Sequence, residues 1–328
     1  MSPLARHRSR RCPVPAVDAA SIAAAVARIA AVMPPTPLLP APGRGAFLKL
    51  ENLQVTGAYK VRGAFNAVAA GIARGDRRDL VCASAGNHGL GVAWAARHFD
   101  RRATVVVPAG AAAAKVGGCR ALGAEVITGG ADVEACLRAA RALAETRGAR
   151  LLHPFDDPDV IAGQATVAVE LLPFRPDVVL VPIGGGGLAA GVCVVLKPHG
   201  VRVVGVQVSG LDRFRRAWRS PPPSPLSSSS SFSAALPPSL ADGLRVAQPG
   251  ALALSLCAGL LDDVVLVAED QIAETVASLA MREKVVAEGA GAAAVAALPL
   301  VSGARKVAIV SGGNIDAAVL ARLAARAA

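Results

Sequence analysis

Four short stretches of this sequence place turn residues beside side chains that could do chemistry. In the first, Lys60 follows the turn-forming pair Thr56-Gly57 and opens a predicted helix over 61–70. The positive end of the helix dipole disfavours an ammonium there, and burial would lower its pKa further, which would leave a neutral amine able to attack a carbonyl. A solvated surface lysine is the alternative, and the local pattern leaves both open.

The second stretch is the segment ASAGNHGLG, between a predicted strand and a predicted helix. Ser84, Gly86 and Gly89 allow backbone N–H groups to converge at the start of the helix, a geometry that binds an anion such as a carboxylate. Asn87 adds an amide that can donate and accept hydrogen bonds. The alternative is an ordinary capped turn in which His88 is a structural polar residue.

The third stretch is PIGGGGLAAG, with four consecutive glycines at 184–187 before a predicted helix. Glycines cost conformational entropy, and that cost is understandable where a phosphate must approach the backbone at a helix N-terminus. With Ala189 the glycines also fit the dinucleotide fingerprint G-x-G-x-x-A. That fingerprint expects an acidic residue near the end of the next strand, where this chain has Gln207. The loop therefore favours a phosphate over NAD.

The fourth stretch is VAIVSGGNID, in which a predicted strand ends at Ser311. This position lies at the carboxyl edge of a sheet, where ligands bind in open α/β folds. A hydroxyl there can bond a heterocyclic nitrogen without imposing a charge, although a simple Ser-Gly-Gly turn is the alternative. An imine-forming lysine, a carboxylate loop, a phosphate loop and a neutral partner for a ring nitrogen are together what pyridoxal 5'-phosphate requires.

The elements that must position these residues are short strands alternating with Ala-rich stretches of helical length. This alternation predicts parallel sheets covered by helices on both faces. Asp18 is predicted to cap a helix that Pro34 and Pro35 terminate. Residues 1–15 are predicted to be a loose arm, and the Pro/Ser-rich segment 220–238 an exposed, poorly ordered loop. The strands are predicted at 80–83, 104–107, 125–127, 178–181, 203–208, 264–267 and 307–310.

Composition excludes several classes of protein. With 328 residues, 53% hydrophobic, the chain can bury a large core in one or two domains. The net charge of +11 comes from scattered arginines, and aromatics at 3% are too few to stack on single-stranded nucleic acid. The six cysteines show no C-x-x-C and no metal-ligand spacing. No apolar run is long enough to span a membrane, and the basic N-terminus lacks a secretory core. We therefore expect a reduced, cytoplasmic protein without nucleic-acid or membrane partners.

The sequence resembles the threonine dehydratase and serine racemase family of fold-type-II pyridoxal-phosphate enzymes. The matching stretches occur in family order over about 36–320: ENLQVTGAYKVRGA, SAGNHGLG, VVVPAGAAAAKVGGCRALGAEVI, PFDDPDVIAGQATVAVE, PIGGGGLAAG, ADGLRV, KVVAEGAGAAAVAAL and SGGNID. The resemblance implies an α/β fold with two open, twisted parallel-sheet domains, like the tryptophan synthase β chain. Residues 1–72 and 154–328 would form the large cofactor-binding domain, and 73–153 a small domain that closes on the substrate.

The same resemblance assigns roles to individual residues. Lys60 would form the imine with the cofactor, Asn87 would bond the 3'-oxygen of its ring, and Ser311 would be the partner of the pyridine nitrogen. The remaining cofactor residues would be Tyr59 beside the ring, Gly184, Gly185, Gly186, Gly187 and Leu188 around the phosphate, and Gly243 and Glu288 in the pocket wall. The loop that closes on the substrate carboxylate would consist of Ser84, Ala85, Gly86, Asn87 and His88.

Three departures from the family pattern refine the expectation. Ala85 stands where racemases carry a serine that acts as acid and base on the opposite face, which disfavours racemisation. Gln207 and Arg213 replace two acidic ligands of metal-binding relatives, so no metal site is expected. The sequence ends 12 residues after Asp316, without the regulatory domain of biosynthetic threonine dehydratases. The short catabolic form is therefore the nearest match.

The resemblance thus predicts a pyridoxal-phosphate-dependent lyase of amino-acid metabolism, a homodimer or homotetramer. It would convert the small-molecule substrate L-threonine to 2-oxobutanoate and ammonia, and L-serine to pyruvate. Within the family, a serine racemase or a dehydratase of another β-hydroxy amino acid is the alternative. Outside it, the alternatives are an NAD-dependent oxidoreductase that uses the four-glycine loop, and a basic nucleic-acid-binding protein.

Overall fold

The computed structural model describes residues 17–84, 86–111, 113–220 and 236–327. The predicted arm at 1–15 and most of the predicted loop at 220–238 lie outside these ranges. The described strands are β1 Leu38–Ala41, β2 Ala46–Leu50, β3 Leu80–Ala83, β4 Ala103–Pro108, β5 Glu125–Gly130, β6 Arg150–Leu151, β7 Val178–Pro182, β8 Arg202–Val208, β9 Asp263–Val267 and β10 Lys306–Val310.

Helices separate most of the strands along the chain. They are α1 Ala19–Ala30, α2 Lys60–Ala73, α3 Asn87–His98, α4 Ala113–Ala121, α5 Val133–Arg147, α6 Pro158–Val169, α7 Gly187–Leu196, α8 Arg213–Arg219, α9 Ala251–Cys257, α10 Glu269–Ser278, α11 Gly289–Ala296 and α12 Ala317–Ala327. None of the helices described here is long and apolar enough to cross a bilayer.

The strands form two sheets, as the fold-class prediction required. The larger sheet has the order β1-β2-β10-β7-β8-β9 and the smaller one the order β5-β4-β3-β6. All four strands of the smaller sheet come from the segment between Leu80 and Leu151. The boundaries at 72/73 and 153/154 stay a prediction, but the segment 73–153 contains the whole of this sheet.

The seven predicted strands are all present, and every described pairing among them is parallel. The hairpin of β1 and β2 was not predicted and is antiparallel. The connection between these two strands is a single short turn that ends at Gly45, with φ of 57°. Only antiparallel strands can be joined so tightly. Pro40 lies in β1, at the sheet edge, where a missing N–H does not break the ladder.

Apolar side chains are buried on both faces of each sheet. Along β10, Val307 and Ile309 pack into one apolar cluster, while Ala308 and Val310 pack into another on the opposite face. The small sheet shows the same alternation, with Val106 facing away from the cluster that contains its two neighbours in β4. Parallel strands covered on both faces need such continuous apolar runs, which is why the sequence showed them as short β-branched stretches.

The predicted cap of the first helix is confirmed. The carboxylate of Asp18 accepts a hydrogen bond from the N–H of Ser21 at 2.8 Å, and the hydroxyl of Ser21 accepts one from the N–H of Asp18 at 2.9 Å. This reciprocal pair satisfies two N–H groups that an uncapped helix would leave open. The helix ends at Ala30, before Pro34.

Candidate active site

The four stretches singled out in the sequence meet where the two sheets face each other. Ser311 follows β10 and the glycine loop follows β7, both at carboxyl ends of the larger sheet, while Ser84 follows β3 of the smaller sheet. A Cβ built on Gly312 would lie 3.1 Å from the Nδ2 of Asn87, so the segments that follow β10 and β3 are in contact. This juxtaposition produces a cleft between two sheet edges, a common place for a ligand.

Lys60 is the first residue of α2 and is partly buried in this cleft. Its Nζ donates a hydrogen bond to the carbonyl of Pro154 at 2.8 Å. The amine lies 5.3 Å from the ring centre of Tyr59 and 6.0 Å from that of Phe155. Burial lowers the pKa of Lys60 to about 8, because the charged ammonium loses water. Lys60 is therefore not an ordinary surface lysine, and a substantial fraction of its amine is neutral near pH 8.

The start of α2 is held by a buried set of charges that the sequence reasoning missed. The guanidinium of Arg62 is 0% exposed and donates from Nε and Nη2 to the carboxylate of Glu51 at 2.7 and 2.8 Å. Its Nη1 donates to Glu170 at 2.6 Å. Lys49 completes the set through Glu170 and through the carbonyl of Thr36, 2.6 Å away. We call Lys49, Glu51, Arg62 and Glu170 the charge cluster.

The charge cluster has two cations and two carboxylates, so it is neutral as a whole. Its carboxylates form ion pairs with Arg62 and Lys49. The lowered pKa of Lys60 is therefore due to burial and not to these charges. The sequence did contain a signal for this arrangement. Charged residues occur within apolar segments at LKLENL and KVRGAF, and buried charges must be paired.

Glu288 and Asn87 connect the two sides of the cleft. Asn87 donates from Nδ2 to one carboxyl oxygen of Glu288 and accepts at Oδ1 from Asn314 at 2.9 Å. Glu288 is 4% exposed, and its other oxygen has no hydrogen-bond partner among the residues described. Burial raises the pKa of Glu288 to about 7. An unpartnered buried carboxyl oxygen is costly unless something else supplies a donor, so this wall of the cleft fits a polar ligand.

The glycine loop offers backbone donors at the start of α7. The first hydrogen bond within the helix is donated by the N–H of Ala190 to the carbonyl of Gly186 at 2.8 Å. The N–H groups that precede Ala190 therefore have no acceptor within the helix. Gly186 has φ of 97°, which disfavours any side chain. A Cβ on Gly187 would lie 2.6 Å from the carbonyl of Phe155. The loop is therefore packed closely and presents the geometry of an anion site, which fits a phosphate.

Ser311 and Gly243 lie on the same wall as Glu288. Ser311 is 3% exposed, its Oγ donates to the carbonyl of Ala290 at 3.3 Å, and its own carbonyl accepts from the N–H of Tyr59 at 3.1 Å. A Cβ on Gly184 would lie 3.1 Å from the carbonyl of Gly243, which joins the phosphate-type loop to this wall. The donor set is thus an amine, a neutral hydroxyl, an amide and an anion loop, and it fits pyridoxal phosphate.

Comparison with known proteins agrees with this donor set. Residues 29–312 match the family of the pyridoxal-phosphate-dependent enzymes. The chain belongs to this family. An L-threonine ammonia-lyase of Thermotoga maritima is 42% identical over 288 residues, which cover 86% of this chain and 70% of that protein. The catabolic L-threonine dehydratase TdcB of Escherichia coli is 38% identical over 280 residues, 82% of this chain and 83% of that protein.

Solved structures of the same family share the fold. A threonine deaminase from T.th. superposes with a TM-score of 0.83 at 34% identity, covering 91% of this chain and 99% of that one. A maize serine racemase gives a TM-score of 0.83 at 30% identity, with coverages of 94% and 97%. The predictions of fold-type-II architecture and of pyridoxal phosphate as the cofactor are confirmed.

In this pyridoxal-phosphate enzyme the predicted carboxylate loop is an N-terminal turn of α3. The Oγ of Ser84 accepts from the N–H of Gly86 at 3.1 Å. His88 is buried, and its Nε2 lies 3.1 Å from the carbonyl of Leu152, so that nitrogen carries the proton. Burial lowers the pKa of His88 to about 3, which keeps the ring neutral. Its side chain thus faces Leu152, and the group it can offer a carboxylate is its backbone N–H. Ala85 lies outside the described residues.

The positions that replace the metal ligands of relatives have structural partners here. Gln207 is buried; its Nε2 donates to the carbonyls of Ile183 and Leu211 at 3.2 and 3.0 Å, and its Oε1 accepts from the N–H of Arg215 at 2.8 Å. Arg213 donates to the carbonyl of Ala247 at 3.0 Å. Within the described ranges, no group of three or more His, Cys, Asp and Glu side chains could hold a metal ion.

Proposed function

We propose that the protein is an ammonia-lyase that converts L-threonine to 2-oxobutanoate and ammonia, and L-serine to pyruvate and ammonia. The observation that carries the proposal is Lys60, whose buried amine has a pKa of about 8. It lies in the same cleft as the glycine loop at 184–188 and the neutral hydroxyl of Ser311. The names of the relatives from Thermotoga maritima and Escherichia coli support the same substrate.

Pyridoxal phosphate, when bound, supplies an electron sink for the negative charge that develops at the substrate Cα. The residues that would hold it are Lys60 at its aldehyde, Ser311 at its ring nitrogen, Asn87 at its 3'-oxygen and the loop 184–188 at its phosphate. Tyr59, Gly243 and Glu288 would line the pocket. The first four assignments are supported by proximity within one cleft and by polar groups of matching chemistry, and the last three by proximity alone.

Lys60 would also remove the Cα proton. A base works best when its pKa is near the working pH, and a pKa of about 8 meets that condition. The hydrogen bond from Nζ to Pro154 holds the amine in the cleft. In the sequence, Ala85 has no group that could carry a proton on the opposite face. Proton removal from one face is sufficient for elimination, whereas racemisation also requires delivery of a proton to the opposite face, which the alanine disfavours.

The proposal is tested by incubating the purified protein with L-threonine and measuring the keto acid and the visible spectrum. We expect 2-oxobutanoate to form and the Lys60→Ala variant to lose both turnover and the absorbance of the bound cofactor. Lys197→Ala is the control, because Lys197 is held by Asp262 at 2.8 Å and lies at the C-terminal end of α7, opposite the end that carries the glycine loop. Turnover by Lys60→Ala, or a borohydride-fixed adduct on another lysine, would refute the assignment.

Three further expectations, on domain division, oligomeric state and cellular location, belong to the same proposal. The division into 1–72 with 154–328 and 73–153 is supported by the strand content of the smaller sheet. A homo-oligomer is supported by exposed apolar side chains at Leu53, Val55 and Met281, which a partner copy would cover. A reducing, cytoplasmic location is supported by the buried free cysteines of the described residues.

A further inference from the structure

Lys115 belongs to α4, beside the smaller sheet, yet its side chain crosses the mouth of the cleft. Its Nζ lies 2.7 Å from the carboxylate of Asp242, the residue that precedes Gly243 in the opposite wall. The side chain of Lys115 is 16% exposed and that of Asp242 is 52% exposed. The other ion pairs described between 73–153 and the rest of the chain share Asp159, near the point where the chain crosses between the two parts.

The ammonium of Lys115 also lies beside the predicted carboxylate loop. A Cβ built on Gly86 would be 3.4 Å from this Nζ. Lys115 further lines a cavity of about 550 Å³ together with Glu288 and Asn314, which both belong to the hydrogen-bond set of Asn87. The cation is therefore adjacent to the position at which an anion would dock.

Lys115 has capacity for a second anionic partner. An ammonium has three N–H donors, and among the described residues its side chain makes one hydrogen bond, to Asp242. Asp242 is half exposed, so water can replace the ammonium at its carboxylate at modest cost. The pair can therefore loosen without leaving a buried charge.

We propose that Lys115 is a positioning residue for the carboxylate of the substrate. In the free protein, Asp242 holds the ammonium of Lys115. When an amino acid docks on the loop of Ser84 and Gly86, the ammonium is shared between Asp242 and the substrate carboxylate. This inference rests on the proposed function and restricts the substrate to amino acids with a free α-carboxylate. It also assigns Asp242 the opposite role, since that residue competes with the substrate for the cation.

A purely structural pairing makes a different prediction. If the pair of Lys115 and Asp242 only fastens α4 to the opposite wall, removing either partner breaks the same contact and has the same effect on binding. If Lys115 serves the carboxylate, removing Asp242 frees the cation and strengthens binding, whereas removing Lys115 weakens it. The sign of the Asp242 variant therefore separates the two roles.

The experiment measures equilibrium binding to the cofactor-loaded protein by calorimetry. The probes are L-alanine, which has no β-leaving group, and ethylamine, which has no carboxylate. We expect Lys115→Met to weaken L-alanine binding about tenfold, the loss of one charge-assisted hydrogen bond. Asp242→Asn should tighten L-alanine binding about threefold, within the same range of energies, and neither variant should change ethylamine binding.

Two further variants complete the design. Lys115→Arg should restore most of the L-alanine affinity, because the charge is retained, and it keeps the test interpretable if the methionine variant folds poorly. Lys197→Met is the matched control, a lysine paired with an aspartate elsewhere, and should bind both probes as the parent does. With L-threonine, the Lys115→Met defect should appear in KM more than in kcat.

Unchanged L-alanine binding in Lys115→Met would overturn the inference, as would equal weakening for ethylamine or a weaker, not tighter, Asp242→Asn variant. The proposed reaction fails separately, since it depends on keto acid release from L-threonine. Opposite shifts in the two variants without any keto acid would leave the carboxylate site established and the ammonia-lyase proposal refuted.

Discussion

Removing Arg62 should destabilise the protein far more than removing a comparable arginine at the surface. In Arg62→Met, the carboxylate of Glu51 loses bonds of 2.7 and 2.8 Å and Glu170 loses one of 2.6 Å. Glu51 is 0% exposed, so water cannot replace them. Breaking a buried ion pair by deleting one partner costs about 3–5 kcal/mol, and we expect a loss of about 4 kcal/mol in the free energy of unfolding.

Urea unfolding of the cofactor-free protein, followed by far-ultraviolet circular dichroism, measures this loss directly. The matched control is Arg147→Met, because Arg147 also forms an ion pair, with Glu125 at 2.6 Å, but both side chains are nearly half exposed. Surface pairs contribute about 0–1 kcal/mol, so this variant should unfold almost as the parent does. A loss below about 1 kcal/mol in Arg62→Met, at an unchanged dependence on urea, would refute the description of the charge cluster.

The double variant Arg62→Met/Glu51→Gln separates lost attraction from stranded charge. With Glu51 neutral, no unpaired carboxylate stays buried, and the double variant should recover part of the stability lost by Arg62→Met alone. The start of α2 should nevertheless be less well held. We therefore expect weaker retention of the cofactor by Lys60 in both variants, measured as absorbance per protein after dialysis. Full retention would show that Lys60 does not depend on the cluster.

Three further results are expected. Gly187→Ala should retain cofactor about tenfold less well, since its Cβ would lie 2.6 Å from the carbonyl of Phe155, whereas Gly117→Ala, with open space around it, should bind normally. Burial raises the pKa of Glu288 to about 7, so its protonation stabilises the fold at low pH and this contribution is lost as pH rises to 7. The stability advantage of the parent over Glu288→Gln should therefore fall between about pH 4.5 and pH 7, by up to about 3 kcal/mol, in urea titrations. Lys60 has a pKa of about 8, so the rate at which the cofactor-free protein captures pyridoxal phosphate should rise up to about pH 8 and then level off. A capture rate that does not depend on pH would contradict the lowered pKa of Lys60.

The sequence by itself determined the parts of this protein that depend on neighbouring residues. Strands covered on both faces appear as short apolar runs, and turns need glycine at particular dihedral angles, so the seven parallel strands and the glycine loop were predictable. The start of α1 was predictable for the same reason, because Asp18 and Ser21 are one helical turn apart. The motif set was sufficient to indicate pyridoxal phosphate and the family.

Only the tertiary structure decided how the reactive groups are surrounded. The carbonyl that holds Lys60 is 94 residues away, and the carboxyl group that meets Asn87 is 201 residues away. The pairing of Lys115 with Asp242 also joins distant segments. A pKa depends on the loss of water and on charges brought close by packing, and neither is a property of local sequence. The positions of the reactive groups were therefore predictable, whereas their protonation states and partners were not.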